Sequence, residues 1–309
     1  MSAAAAIRAG STEDVAAAVR DAQARRAPLR IVGRGGWLNA SSPGARISDG
    51  AMDLDLSALT GVVEYVPDDL TLTVRAGTTL EELDAATAPH GQWCPLLPWG
   101  NDLGSIGATF ATATTGPAAH ALGRPRDIAL GVEFVDGTGA RVRGGGRVVK
   151  NVAGFDLTRL NIGAFGAFGV LTEITIRLRA RPPVDVTWCL TGGAGTAGNR
   201  ADAIRRSEIV PLACEPINAR LAAALDVPAD SVLVRYGGNR ALVAAAREPL
   251  ARRFDIADAD PDVWTKFRAL DPHPREFGGS ALAGSIARRI KERFDPAGIL
   301  NPGVLGEGA

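Results

Sequence analysis

Glycine placement limits this chain more than any other feature. Many of its 37 glycines fall in four runs, at residues 33–36, 100–107, 144–146 and 163–169. A glycine run either turns the backbone or bares main chain against a ligand. What flanks each run decides between a turn and a ligand loop.

Leu29-Arg30-Ile31-Val32 reads as a short strand running straight into Gly33-Arg34-Gly35-Gly36. The third glycine of a dinucleotide fingerprint is missing, and Asn39 to Pro43 is polar and turn-like where that fingerprint needs a helix. No Gly-Lys-Ser/Thr follows, which excludes a P-loop. Small residues in succession leave N–H groups free to converge on an anion. A second cluster, Leu103-Gly104-Ser105-Ile106-Gly107, precedes a helix of small residues, and a helix N-terminus beside glycine is also an anion site. Two such loops could clamp one pyrophosphate. The run from Gly163 to Gly169 enters a strand, and spacing alone leaves close packing and ligand approach both open.

The remaining pattern predicts short alternating elements. Ser11 with Asp14 has capping-box spacing ahead of Val15, Ala18, Val19 and Ala22, which keep a helical period. Val62–Val66 and Leu70–Val74 alternate around Pro67-Asp68-Asp69 as a hairpin. Strands are expected at 128–135 and 168–178, and Arg181-Pro182-Pro183 breaks the pattern. Beyond it come strand 184–190, helix 199–207, strand 210–217, strand 231–236, helix 239–252 and strand 254–257, a β-α-β-β-α-β order suggesting a small ferredoxin-like unit. A helix at 280–293 closes the chain. Many hairpins and few helices in the first half argue for α+β rather than a doubly wound parallel sheet. The expected divisions are 1–182, a small unit at 183–278, and a returning tail at 279–309.

Composition narrows the function classes. The formal net charge is zero, with 34 basic and 34 acidic residues, so nothing calls for nucleic acid or an anionic membrane. Three scattered cysteines, Cys94, Cys189 and Cys214, make neither a disulfide framework nor an iron–sulfur ligand set. The start breaks into polar residues by Arg8 and no apolar run reaches the length of a membrane span, so a cytoplasmic protein is expected.

In their order along the chain these pieces resemble the vanillyl-alcohol-oxidase flavoproteins. Ile31 to Gly36 is similar to that family's pyrophosphate loop, and Leu103 to Gly107 to its second flavin loop. Arg126-Asp127, Leu130-Gly131-Val132 and Asp136-Gly137 resemble the next segment. Lys150 to Asp156 followed by Leu160 looks like the FAD-binding subunits of bacterial glycolate oxidase, a branch of that family. Gly166 to Thr172 looks like the strand that approaches the flavin, and Phe294 to Gly303 resembles the closing motif of the 2-hydroxy-acid branch.

The resemblance implies a PCMH-type FAD-binding domain of two α+β subdomains with a small cap. It implies cofactor contacts from Val32, Gly33, Arg34, Gly35, Gly36 and Trp37, and from Leu103, Gly104, Ser105, Ile106 and Gly107. Thr112, Thr114, Thr115, Gly116 and Gly154 would line the cofactor, with Val170 and Leu171 approaching from the last strand. It further implies oxidation of a 2-hydroxy acid by a complex holding a second flavoprotein subunit and an iron–sulfur subunit, through which any membrane link would run.

The sequence also departs from the family pattern. Many relatives attach FAD through a histidine near the first loop; here that region holds Arg34, Trp37 and Asn39, so non-covalent FAD is expected. Ser105 stands where an adjacent Gly-Gly pair is common. After Trp264 and Phe267 the chain goes almost directly to the closing helix, so the cap looks truncated. Hydroxy-acid oxidation needs a base for the hydroxyl proton and a cation for the carboxylate. The candidates are His120, Lys150 and His273. His90 before Gly91 reads instead as a helix end, and Arg126 beside Asp127 reads equally as a ligand clamp or a structural pair. Because no complete catalytic set stands out, a stand-alone oxidase or dehydrogenase and a flavin-free scaffold subunit remain beside the complex.

Overall fold

The computed structural model describes residues 6–35, 47, 50–100, 104–146, 155–270 and 281–305, without the side chains of 281–283. The N-terminal sheet is small and parallel, with strands β1 (Ala6–Arg8), β2 (Leu29–Val32) and β3 (Met52–Asp55) in the order β1-β3-β2. Helix α1 (Thr12–Arg25) connects β1 to β2. The capping box forms as its spacing predicts: Ser11 Oγ accepts from Asp14 N–H at 3.1 Å, and Asp14 Oδ2 accepts from Ser11 N–H at 3.0 Å. Val15, Val19 and Ala22 of α1 bury against Leu29 and Leu54.

The main sheet has five antiparallel strands. Its members are β4 (Val62–Val66), β5 (Thr71–Arg75), β7 (Ala129–Val135), β8 (Arg141–Gly145) and β9 (Val170–Arg177), in the order β4-β5-β9-β7-β8. The β4–β5 hairpin turns at Pro67–Asp69 as expected, with Leu70 left-handed at φ 55°. Helices α2 (Leu80–Thr87) and α3 (Ile106–Ala111) bury Leu83, Ile106 and Phe110 against Leu72, Phe134, Ile174 and Ile176. Between these elements lie short pieces: β6 (Gln92–Trp93), α4 (Ala119–Leu122), α5 (Pro125–Ile128) and α6 (Leu157–Asn161). β6 pairs with β10 (Arg179–Ala180).

A third sheet follows Pro182-Pro183. It comprises β11 (Val184–Thr191), β12 (Ala213–Ile217), β13 (Ser231–Gly238) and β14 (Asp255–Asp258) in the order β12-β13-β11-β14, antiparallel throughout. Helices α7 (Ala197–Arg205) and α9 (Arg240–Ala251) cover one face. That is the ferredoxin-like arrangement expected from the β-α-β-β-α-β order. The structure corrects it in one respect. The connection from β12 to β13 holds a further helix, α8 (Ala219–Leu225), capped by Asn218 Oδ1 at 2.9 Å from Leu221 N–H. Two turns of helix are marginal alone; α8 persists because Ala222 and Leu225 bury against Leu233. Helix α10 (Val263–Leu270), also beyond the expected elements, covers the same face through Trp264 and Phe267.

The chain closes with α11 (Ala281–Phe294) and a tail that returns to the first sheet. Leu29 N–H donates to Ile299 C=O at 2.7 Å, and Asn301 N–H donates to Leu29 C=O at 2.9 Å. The buried Lys291 Nζ donates to Ala167 C=O at 3.1 Å and Leu300 C=O at 2.7 Å, and pairs with Asp295 at 3.0 Å.

Candidate functional site

The two glycine loops meet in space. Gly33, at the end of β2, packs on Ser105, at the start of α3, so closely that a Cβ on Gly33 would lie 2.5 Å from Ser105 Oγ. Below them is a narrow, largely apolar cleft whose walls include Ile31, Leu56, Ala108, Ala111, Phe165 and Leu171.

Strand alternation decides which expected residues reach this cleft. Ile31 and Gly33 line it, whereas Val32 between them does not. Leu171 lines it, whereas Val170 buries in the core under α1. Ser105, Gly107 and Thr112 line it, whereas Ile106 points into the core beneath the main sheet. Thr114 is buried beside it, with its hydroxyl 2.6 Å from that of Thr112. Thr115 C=O accepts from Trp99 N–H at 3.0 Å. Gly116 packs against Leu97 C=O, so its missing side chain serves chain packing. Gly36, Trp37, Leu103, Lys150, Gly154 and His273 lie outside the described residues.

The second loop contributes less main chain than expected. Ile106 N–H donates to Thr78 C=O and Gly107 N–H to Ala76 C=O, both at 2.8 Å. Ala108 N–H donates to Ser105 Oγ at 3.3 Å. Ser105 therefore caps its own helix, and three donors at the start of α3 are already engaged. Among the described residues, the N–H groups of Gly33, Arg34, Gly35, Gly104 and Ser105 meet no protein acceptor. Gly35 has a φ of 75°, and a side chain there would have open space around it. Of these five donors, Gly33 and Ser105 line the apolar cleft and Arg34, Gly35 and Gly104 do not; free donors on two loops that meet above such a cleft suit a group with an anionic centre and a flat apolar arm. FAD has both, so the residues present fit it.

The described histidines, His90 and His120, lie elsewhere. His120 sits on α4, with Nδ1 3.2 Å from Pro117 C=O and Nε2 3.0 Å from Pro211 C=O. It ties α4 to the segment leading into β12, beside a hollow of about 750 Å³ that shares no lining residue with the cleft. His90 stacks edge-on against Tyr65 at 5.1 Å, and Gly91 after it is left-handed, as a helix end requires. Arg126 is exposed, while Asp127 Oδ2 accepts from Arg124 N–H at 2.9 Å, a local cap. All three cysteines are buried and free. Burial pushes the thiols of Cys94 and Cys214 up to about 12, so neither is a ready nucleophile.

α10 closes on the approach to the second loop. Arg268 Nε donates to Pro98 C=O at 2.8 Å, Gly100 N–H donates to Arg268 C=O at 3.0 Å, and the Trp99 and Phe267 rings lie 5.3 Å apart. Phe165 and Asn301 also line the cleft, although they are not among the contacts expected from the sequence, and so does Gly166, which begins the segment resembling the strand that approaches the flavin. The Asn-Pro-Gly of the tail was the one visible signal for Asn301.

Comparison with known proteins agrees with this geometry. A family model described as an FAD binding domain matches residues 3–145. The glycolate oxidase subunit GlcE of Escherichia coli (strain K12) is 33% identical, over 82% of this chain and 86% of the relative. The D-2-hydroxyglutarate dehydrogenase of Xanthomonas citri pv. viticola is 34% identical over 56% of this chain, but only 36% of its own length is matched. A solved alkyldihydroxyacetonephosphate synthase superposes with a TM-score of 0.75 over 96% of this chain and 76% of its own at 15% identity, which speaks for the fold alone. With FAD as its cofactor and a PCMH-type α+β fold, this chain belongs to the family of the glycolate oxidase subunit GlcE, among the FAD-dependent oxidoreductases.

Proposed function

We propose that the chain is the FAD-binding subunit of a glycolate-oxidase-like complex that oxidises a 2-hydroxy acid to the 2-oxo acid. The observation that carries this reading is the meeting of Gly33 with Ser105 above an apolar cleft, on two loops that together carry five free N–H donors. In this reading Gly33, Arg34, Gly35, Gly104 and Ser105 hold the pyrophosphate of FAD, and Ala111, Thr112, Phe165 and Leu171 line its apolar arm. When bound, FAD supplies the acceptor for the hydride of the substrate. The protein excludes water from that arm and fixes its position. The cofactor is held non-covalently, because no histidine stands in residues 32–47 to attach it. Residues 1–182 form the FAD-binding domain, 183–278 the cap, and 279–309 the returning tail.

Partner subunits fit the same arrangement. No described histidine reaches the cleft, so a base and a carboxylate-binding cation would come from a second flavoprotein subunit. Electrons would leave through an iron–sulfur subunit, whose ligands this chain does not supply. No helix among the described residues is long and apolar enough to cross a membrane.

The test is a visible spectrum of the purified chain before and after acid precipitation. Flavin absorbance released into the supernatant is the expected result; a colourless chain that also fails to take up added FAD would refute the reading. Glycolate or D-lactate is then added to the yellow sample. Bleaching that needs partner subunits supports the complex, and bleaching by this chain alone would make it a complete dehydrogenase.

A further inference from the structure

The closing tail lines the cofactor cleft with Asn301 and Val304, and the Asn301 amide bonds to both of its walls. β2 presents a row of N–H groups along its outer edge, on Leu29, Ile31 and Gly33. The first donates to Ile299 C=O at 2.7 Å. The second donates to Asn301 Oδ1, also at 2.7 Å. The third is the free donor of the first flavin loop. Continued main-chain pairing would have offered Ile31 the carbonyl of residue 301. Instead Asn301 turns left-handed, at φ 41°, and its side chain takes that place. Asparagine tolerates this conformation better than most residues.

The same amide also holds the opposite wall. Asn301 Nδ2 donates to Phe165 C=O at 2.6 Å. Phe165 is left-handed at φ 52°, a strained backbone for an aromatic residue. Its own N–H donates to Ala111 C=O at 2.8 Å. The strained turn is therefore tied down at both ends, once to α3 and once to the tail. Gly166 next to it leaves room for the Asn301 amide: a Cβ there would lie 3.0 Å from Nδ2.

We infer that Asn301 is a positioning residue for the cofactor: one side-chain amide sets the spacing between the first flavin loop and the Phe165 wall before FAD arrives. This rests on the FAD reading above. A cleft already held at its bound width loses less conformational freedom on binding, which raises affinity beyond what the contacts of its lining supply. By the same linkage, bound FAD favours the docked tail.

The test compares FAD dissociation constants of the full chain, measured by quenching of flavin fluorescence, with melting temperatures. Asn301→Gly removes the amide and suits the backbone at φ 41°. Asn301→Asp keeps an acceptor for Ile31 N–H and loses the donor to Phe165. Asp295→Asn weakens a buried ion pair that does not line the cleft, while the main-chain pairing of Leu29 with Ile299 and Asn301 keeps the tail docked. Asn301→Gly is expected to weaken FAD binding about tenfold or more, and Asn301→Asp by several fold. Asp295→Asn is expected to lower the melting temperature at least as much while moving the dissociation constant less than about twofold. If Asn301→Gly folds poorly, Asn301→Asp decides by the same comparison. Wild-type affinity in the Asn301 variants would overturn the inference, as would equal weakening by Asp295→Asn. A wild-type chain that binds no FAD would instead remove the cofactor reading beneath it.

Discussion

Gly33 and Ser105 touch across 72 residues of chain, with the Ser105 hydroxyl occupying the space a Gly33 side chain would need. The hydroxyl is fixed there because it caps α3 through Ala108 N–H. A serine here thus gives α3 a rigid start through its hydroxyl and leaves its own N–H free. Gly33 must then remain a glycine for steric reasons.

Gly33→Ala should therefore weaken FAD binding about tenfold or more, because the new methyl displaces Ser105 and opens the junction of the two loops. Adding Ser105→Gly to that variant removes the obstructing side chain and should restore much of the affinity. Flavin titration of the single and double variants checks this; additive losses would show that the two residues do not compete for space.

Glu133 is buried in the middle of the main sheet, where Thr12 and Thr172 hydroxyls donate to it at 3.1 Å and Arg143 Nε donates at 2.7 Å. Burial pushes its pKa up, but the hydrogen bonds from Arg143, Arg141 and Thr172 outweigh that and hold it below the usual carboxylate range. A lowered carboxylate stabilises above its unfolded pKa and loses that contribution as pH falls through the folded one. Glu133→Gln should cost about 2 kcal/mol at neutral pH, with the gap to wild type narrowing below about pH 4. Urea denaturation at two pH values measures both.

Glu215 on β12 behaves in the opposite sense. Burial raises its pKa to about 7, against the pull of Arg205, whose Nη2 lies 3.6 Å away. A raised carboxyl binds more protons in the folded than in the unfolded state, so stability falls as pH rises from about 4.5 to about 7. Glu215→Gln should flatten the dependence of melting temperature on pH across that window. An unchanged slope would show that Glu215 is not its source.

Lys291 satisfies three acceptors inside the junction of α11 and the tail, including the fully buried Asp295 carboxylate. Lys291→Met strands that carboxylate without its cation and should cost about 3–5 kcal/mol. Differential scanning calorimetry should show the loss as a lower melting temperature. A variant as stable as wild type would mean that the N–H groups of Ile299 and Leu300 suffice to hold the charge.

Much of this fold is legible in the order of residues because local chemistry sets it. Ser11 with Asp14, the Pro67–Asp69 turn and the Gly91 cap each act within a few residues, so spacing reveals them. The order of strands and helices after Pro183 was enough for the ferredoxin-like unit, and the glycine loops for the flavin family. Helices α8 and α10 were less visible, because their stability comes from Leu233 and its neighbours on a distant strand and not from their own two turns.

By itself, then, the sequence determined the short-element α+β architecture, the flavin loops and the cofactor class, since these rest on near-neighbour backbone preferences and motif order. Only the tertiary structure decided which loop residues face the cleft. Strand alternation turned Val32 and Val170 away, and helix capping used up donors at Ile106 and Gly107. It also brought Asn301 beside Ile31 and Phe165, a meeting no local rule can announce, because the contact spans most of the chain and exists only once three separate elements have packed.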